Sequence, residues 1–209
     1  MTLNFNNPLN FNDYYPSLIK NNNRIVILGA SGLAHEIKTL LEFWNILNHR
    51  ITFFEKSNEH SLVRSDNLIL GMGNPNLRQT CHNNFSSQWE FPVILHPKCV
   101  LGSKIQVGGA TLIQAGVVIT TDVIIGEGCL INLNVSIGHN VHLEDYVVIN
   151  PGATISGNVR VGKETLVGAN ATILENIIIG QRVIIGAGAV VTRDIPDGKI
   201  VVGVPAKPI

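Results

Sequence analysis

From Leu101 to Pro196 the chain divides into sixteen consecutive six-residue units, each opening on Leu, Ile or Val. A second column lies four residues behind each opener and holds only small or β-branched residues, Cys129 among them. An amphipathic helix needs apolar residues at 3.6-residue spacing, whereas positions five, six and one here read inward, outward, inward. Each unit is therefore one short strand followed by three residues of corner. Gly at the second position (102, 108, 126, 138, 162, 168, 180 and 186) and Asn at 132 and 150 are expected to supply the left-handed or tight backbone of those corners. Such a unit cannot bury its apolar face alone, so the units must stack into a solenoid with one continuous core.

The 209-residue chain is 45% hydrophobic and only 14% charged, with a formal net charge of zero. It therefore has no general electrostatic attraction to nucleic acid or an acidic membrane, and a small-molecule ligand is the better expectation. The cysteines Cys81, Cys99 and Cys129 show no paired spacing and no disulfide framework. No signal-like segment and no run of eighteen apolar residues occurs, which predicts a soluble, cytoplasmic protein. Residues 1–23 are Asn-rich and aperiodic and are expected to form a mobile extension, with Tyr14 and Tyr15 able to pack on a neighbour.

Residues 24–95 follow another pattern. Buried strands are expected at Arg24–Leu28, Ile51–Phe54, Asn67–Leu70 and Pro92–Leu95, with helices from Leu33 to Leu47 and from Pro75 to about Phe85. The alternation predicts a small parallel sheet with a βαβ start. Gly29-Ala30-Ser31-Gly32 follows the first strand and Gly71-Met72-Gly73-Asn74 the third, which puts two glycine turns on one sheet edge, where backbone N–H groups can meet a phosphate. The first turn lacks the spacing of the full dinucleotide motif, and a plain connecting turn is the alternative reading.

The order of parts resembles the bacterial nucleotide-aminosugar acetyltransferases and sialic acid O-acetyltransferases: a mini-Rossmann domain, Leu95-His96-Pro97, the hexads with Ile137-Gly138-His139-Asn140, then Gly203-Val204-Pro205-Ala206-Lys207. The resemblance covers residues 24–209 and implies a left-handed parallel β-helix, three hexads to a coil, assembled as a homotrimer with each active site between two subunits. It divides the chain into the extension 1–23, a nucleotide-sugar-binding domain 24–95, an acyltransferase prism 96–196 and a tail 197–209 near acetyl-CoA. The acceptor would be a nucleotide-linked amino sugar, held at Gly29, Ser31, Gly32, Gly73 and Asn74, with Glu55, Lys56 and Arg78 also assigned to it. The same resemblance places acetyl-CoA against Gly157 near the thioester, against Ala187, and against Pro205, Ala206 and Lys207. The chain departs from its relatives in having Leu33 and Val148 where they commonly carry histidine, and Glu55-Lys56 where they carry an acidic pair.

His139 is third in its hexad, on a corner. Acetyl transfer to an amine or hydroxyl needs a base near neutrality, and imidazole suits the task. On residues alone, a surface histidine capping a turn is as good a reading; the resemblance favours catalysis. The partner that orients the ring would be Asn140, with Glu144 or Asp145 as substitutes. His142 points outward from a flat face. The implied activity is N-acetylation of a 4-amino-4,6-dideoxyhexose on a nucleotide; O-acetylation of a sialic-acid-like sugar and non-catalytic nucleotide-sugar binding stay open beside it. A zinc enzyme of the carbonic anhydrase type would need three converging histidines, which the hexads do not supply.

Overall fold

A computed structural model describes residues 2–7, 23–46, 48–54 and 62–209. The chain opens with strand β1 (Leu3–Phe5) and continues with β2 (Ile25–Leu28), helix α1 (Gly32–Phe43), β3 (Ile51–Phe54), β4 (Asn67–Leu70) and helix α2 (Pro75–Phe85). Then β5 (Ile94–Leu95) and β6 (Val100–Val107) begin a parallel β-solenoid. α1 ends at Phe43 rather than running towards Leu47, because Asn45 turns left-handed at φ 56° and its N–H bonds back to Glu42 O. Tyr14, Tyr15 and most of the extension lie outside the described residues.

The strands β2, β3 and β4 form a parallel three-stranded sheet in the order β3-β2-β4. The expected fourth strand does not join it. Ile94 and Leu95 pair instead with Leu112 and Ile113, eighteen residues on, as the first rung of the solenoid. The reason is visible in the hexad frame: Leu95 stands six residues before Leu101 as one more opener, and the buried Cys99 follows it by four.

The solenoid is a three-sided prism whose strands pair at an offset of eighteen residues, as in Ser136 with Thr154 and His142 with Arg160. On one face, seven strands from β5 to Ile200–Val202 span six turns. First and fifth positions of the hexads are buried in a single apolar core running from Val93 to Ala206. Near the end the offset shortens to sixteen, with Ile184 opposite Ile200, and the tail turns back so that Ala206 N–H donates to Val190 O at 2.8 Å.

The corner glycines work differently from the expectation. Every fourth position from Lys104 to Gly188 adopts positive φ, whether Asn, Gly, Lys, Tyr, Glu or Arg stands there, while the second-position glycines do not. Those glycines answer a steric demand: a Cβ on Gly138 would lie 2.8 Å from the Gly157 nitrogen of the next coil. Any L side chain pays some strain at the fourth position, but the ladder of hydrogen bonds around it holds the turn.

Outward sixth positions decide where the first domain docks. On the face begun by β5, Ile94, Leu112, Leu130 and Val148 are buried under the layer that includes Ile37, Leu40 and Leu41 of α1, while Ile184 further along is exposed. Burial of each such side chain contributes on the order of 1.5–3 kcal/mol. Trp44, beyond α1, fastens the junction by donating from its indole N–H to Leu95 O at 3.1 Å. β1 pairs antiparallel with β6, so Leu3 and Phe5 cover part of the open end of the prism. No helix among the described residues is long and apolar enough to cross a membrane.

Candidate active site

The offset of eighteen stacks third-position residues into three edges. One edge carries Thr121, His139, Gly157, Glu175 and Arg193; the second carries Gly109, Glu127, Asp145 and Lys163; the third carries Ala169 and Ala187. His139 is exposed in the isolated chain, on a corner whose backbone is tied on both sides: Asn140 N–H donates to Thr121 O at 3.1 Å, and Asn158 N–H to His139 O at 2.8 Å.

The ring is oriented from within its own hexad. Asn140, held left-handed at φ 58°, places its amide oxygen 2.9 Å from His139 Nδ1. An amide oxygen only accepts, so Nδ1 is the donor and Nε2 keeps its lone pair in the neutral imidazole. The ring lies over Gly157, where an added Cβ would approach both Nε2 and Cε1 to 2.6 Å. The absence of a side chain at Gly157 is therefore what lets the ring rest against this edge with Nε2 beside the backbone. The substitute partners are used elsewhere: Glu144 accepts from Lys163 N–H at 2.9 Å and Asp145 from Glu127 N–H at 2.9 Å. His142 stands on the flat face between Ile124 and Arg160.

Of the residues assigned to acetyl-CoA, only Gly157 shares the edge of His139. Ala187 is exposed on the third edge. Ala206 is buried at the end of the prism, while Pro205 and Lys207 are exposed beside it, Lys207 pairing with Val202. Within one chain these residues do not form a single cleft.

The two glycine turns do meet. Both leave the carboxyl ends of adjacent strands, where ligands of open α/β sheets bind. Ser31 Oγ donates to Gly71 O at 3.0 Å, so its hydroxyl joins the turns rather than capping α1. The first N–H groups of α1 thus have no side-chain cap, and a Cβ on Gly32 or Gly73 would meet nothing within 4 Å. Gly29 takes φ 104°, a conformation that favours glycine. Asn74 faces its own helix, accepting from Leu77 N–H at 3.0 Å as the N-cap of α2. Glu55 and Lys56 lie outside the described residues.

Arg78 is a correction. It is fully buried, and its guanidinium is spent on the backbone: Nε on Gly128 O at 2.7 Å, Nη1 on Leu70 O and Met72 O at 3.1 and 2.9 Å, Nη2 on Ala110 O and Cys129 O at 3.3 and 3.1 Å. Five N–H groups meet five carbonyls, which leaves no donor for a substrate. Burial lowers its pKa to about 10, so it stays charged near neutrality.

Beside it lies a group the sequence did not announce. His82 Nδ1 shares a hydrogen bond of 2.8 Å with Tyr146 Oη and stands 3.8 Å from a Glu127 oxygen. Burial pushes His82 below the ordinary histidine value and Tyr146 up to about 12. The one visible signal was Tyr146 itself, a bulky aromatic in the fourth-position column otherwise held by small, polar or charged residues. Burial also pushes the Cys99 and Cys129 thiols up to about 12, which suits core residues rather than nucleophiles.

Residues 122–157 and 158–193 match the bacterial transferase hexapeptide family (six repeats). No curated protein matches the chain by sequence. Among solved structures, the chain resembles the acetyltransferase domain of PglB from Neisseria gonorrhoeae FA1090 in complex with acetyl coenzyme A, at 27% identity and TM-score 0.85 over 90% of this chain and 100% of that one. It also resembles PerB from Caulobacter crescentus in complex with CoA and GDP-perosamine, at 25% identity and TM-score 0.81 over 89% and 97%. Two further structures of the Caulobacter perosamine N-acetyltransferase carry one histidine replaced, by asparagine or by alanine, and hold the same two molecules. WeeI from Acinetobacter baumannii AYE shares the fold at 22% identity and TM-score 0.75 over 89% and 99%.

Proposed function

Because the chain is an acetyl-CoA-dependent acyltransferase of the left-handed β-helix, hexapeptide-repeat type, we propose that it N-acetylates the amine of a nucleotide-linked amino sugar, a 4-amino-4,6-dideoxyhexose, with His139 as general base. The observation that carries this reading is the imidazole lying over Gly157 with Nδ1 held by Asn140. A base at a thioester needs one nitrogen fixed as donor, the other free, and open backbone where the reacting carbon can approach. The Caulobacter structures with CoA and GDP-perosamine support the acceptor class.

Acetyl-CoA lies along this edge beside the His139 ring, which packs against Gly157 because that residue has no side chain. His139 Nε2 takes the proton that the acceptor amine sheds as its nitrogen bonds to the thioester carbon. The carbon–sulfur bond then breaks, and His139 returns the proton to the departing thiolate. Products are the amide and coenzyme A, with His139 neutral again. Gly29, Ser31, Gly32 and Gly73 hold the acceptor's diphosphate against the uncapped start of α1. Ala187, Pro205 and Lys207 line the remainder of the coenzyme, while Ala206 is buried in the prism core.

Those acceptor turns are fastened to the second edge of their own prism through Arg78, whereas His139 stands on the first. One chain cannot bring them face to face. The site is completed by a neighbouring copy in a homotrimer, with the His139 edge of one chain facing the turns of the next, in the cytoplasm where acetyl-CoA is made available. Thiol release from acetyl-CoA, measured with a panel of nucleotide-linked amino sugars, tests the reading. Activity with a 4-amino sugar nucleotide, falling about 10²–10⁴-fold in His139→Ala, is expected. Equal rates for the variant would remove His139 from the chemistry.

A further inference from the structure

We propose that Arg78 is a positioning residue of the acceptor site, tethering the second glycine turn to the prism so that acceptor affinity, and not coenzyme affinity, depends on it. The inference rests on the reading of the glycine turns as the nucleotide site. Two of its five hydrogen bonds go to Leu70 O and Met72 O, which bracket Gly71 at the carboxyl end of β4. The other three go to Ala110, Gly128 and Cys129 on the prism. No other side chain among those described joins this turn directly to the prism through hydrogen bonds.

The turn needs such a tether because it has no slack of its own. Gly71 packs so closely that a Cβ there would lie 2.7 Å from Leu28 O and 3.0 Å from the Ala34 side chain. A small shift of the turn against the prism is therefore passed to Gly29, Ser31 and α1 rather than absorbed. Gly73, by contrast, faces open space. Arg78 itself sits in the first turn of α2, its N–H bonded to Asn74 O at 3.0 Å, so the same residue also fixes the start of that helix. The charge has a second consequence. No carboxylate is among its hydrogen-bond partners, and a buried cation balanced only by carbonyl dipoles favours an anion such as a diphosphate at the turn above it.

The test uses the full chain and two variants, Arg78→Lys, which keeps the charge but cannot reach five carbonyls, and Arg78→Gln, which loses both. Titration calorimetry with a panel of nucleoside diphosphates and, separately, with coenzyme A reads the two sites independently. Using the diphosphate that wild type binds best, Kd is expected to rise about tenfold in Arg78→Gln and less in Arg78→Lys, with coenzyme A affinity within about twofold of wild type in both. Unchanged nucleotide affinity in folded variants overturns the proposal. So does parallel loss of both ligands, or a failure of both variants to fold, since either makes Arg78 a general stabiliser. If wild type binds no nucleoside diphosphate while binding coenzyme A, it is the reading of the glycine turns that fails.

Discussion

At the scale of single residues, the placement of His139 depends on what its neighbours lack. Asn140 carries no charge, so it fixes the ring by geometry alone, and Gly157 contributes by having no side chain. The consequence is testable without touching the histidine. Gly157→Ala introduces a Cβ that would come within 2.6 Å of Nε2, and the ring, being exposed, swings away instead of disturbing the core. The expected outcome is a fall of about a hundredfold in kcat/KM with an unchanged melting temperature, checked by thiol release and calorimetric melting. A variant as active as wild type would mean that the ring's position over this edge is irrelevant to turnover. His139 was legible in the sequence as a corner residue, because position three of a hexad is a matter of counting. The fate of Arg78 was not legible, since the carbonyls that absorb it come from segments up to 51 residues away.

Among elements, the hexads were readable because each unit repeats the same physical demand, an inward residue at positions one and five. Leu95 extended the same frame back by one unit, yet Pro92–Leu95 also reads as a strand of the first domain, and only pairing with Leu112–Ile113 decides between them. The left-handed fourth position carries no residue signature, because residues as different as Lys104, Tyr146 and Arg182 adopt it. One of these, Tyr146, joins α2 to the prism through His82, and that joint is pH-dependent. Burial lowers the folded pKa of His82 below the ordinary 6.5, so the unfolded chain takes up the proton first as pH falls. Stability is thus fully present above pH 6.5 and is lost as pH falls through the depressed folded value. The melting temperature should decline on acidification below pH 6.5, and His82→Phe should flatten that decline, leaving the share of His96, whose pKa is lowered by partial burial and by Lys98. Identical pH slopes in the two proteins would place the sensitivity elsewhere.

For the whole molecule, the three edges of the prism make the decisive constraint. The first domain covers one face through Leu112, Leu130 and Val148, and Arg78 holds its glycine turns beside the second edge, so those turns stand away from the edge that carries the His139 of the same chain. If neighbouring copies complete each other's sites around a threefold axis, two kinds of defective chain can rescue one another. His139→Ala removes the proposed base and leaves the turns intact. Gly73→Asp places a carboxylate in open space where a diphosphate would bind, and leaves His139 intact. Each variant alone should be nearly inactive. Co-expressed in equal amounts and mixed at random in trimers, a base-bearing chain faces an acceptor-competent neighbour at about one quarter of the interfaces, so about a quarter of wild-type activity should return. Recovery at that level in the unfractionated mixture, or at about one third in mixed trimers purified through two different tags, cannot come from sites built within one chain. Failure of the mixture to exceed either parent would confine catalysis to a single chain, and the separation of the edges would then have to be closed by movement of the first domain.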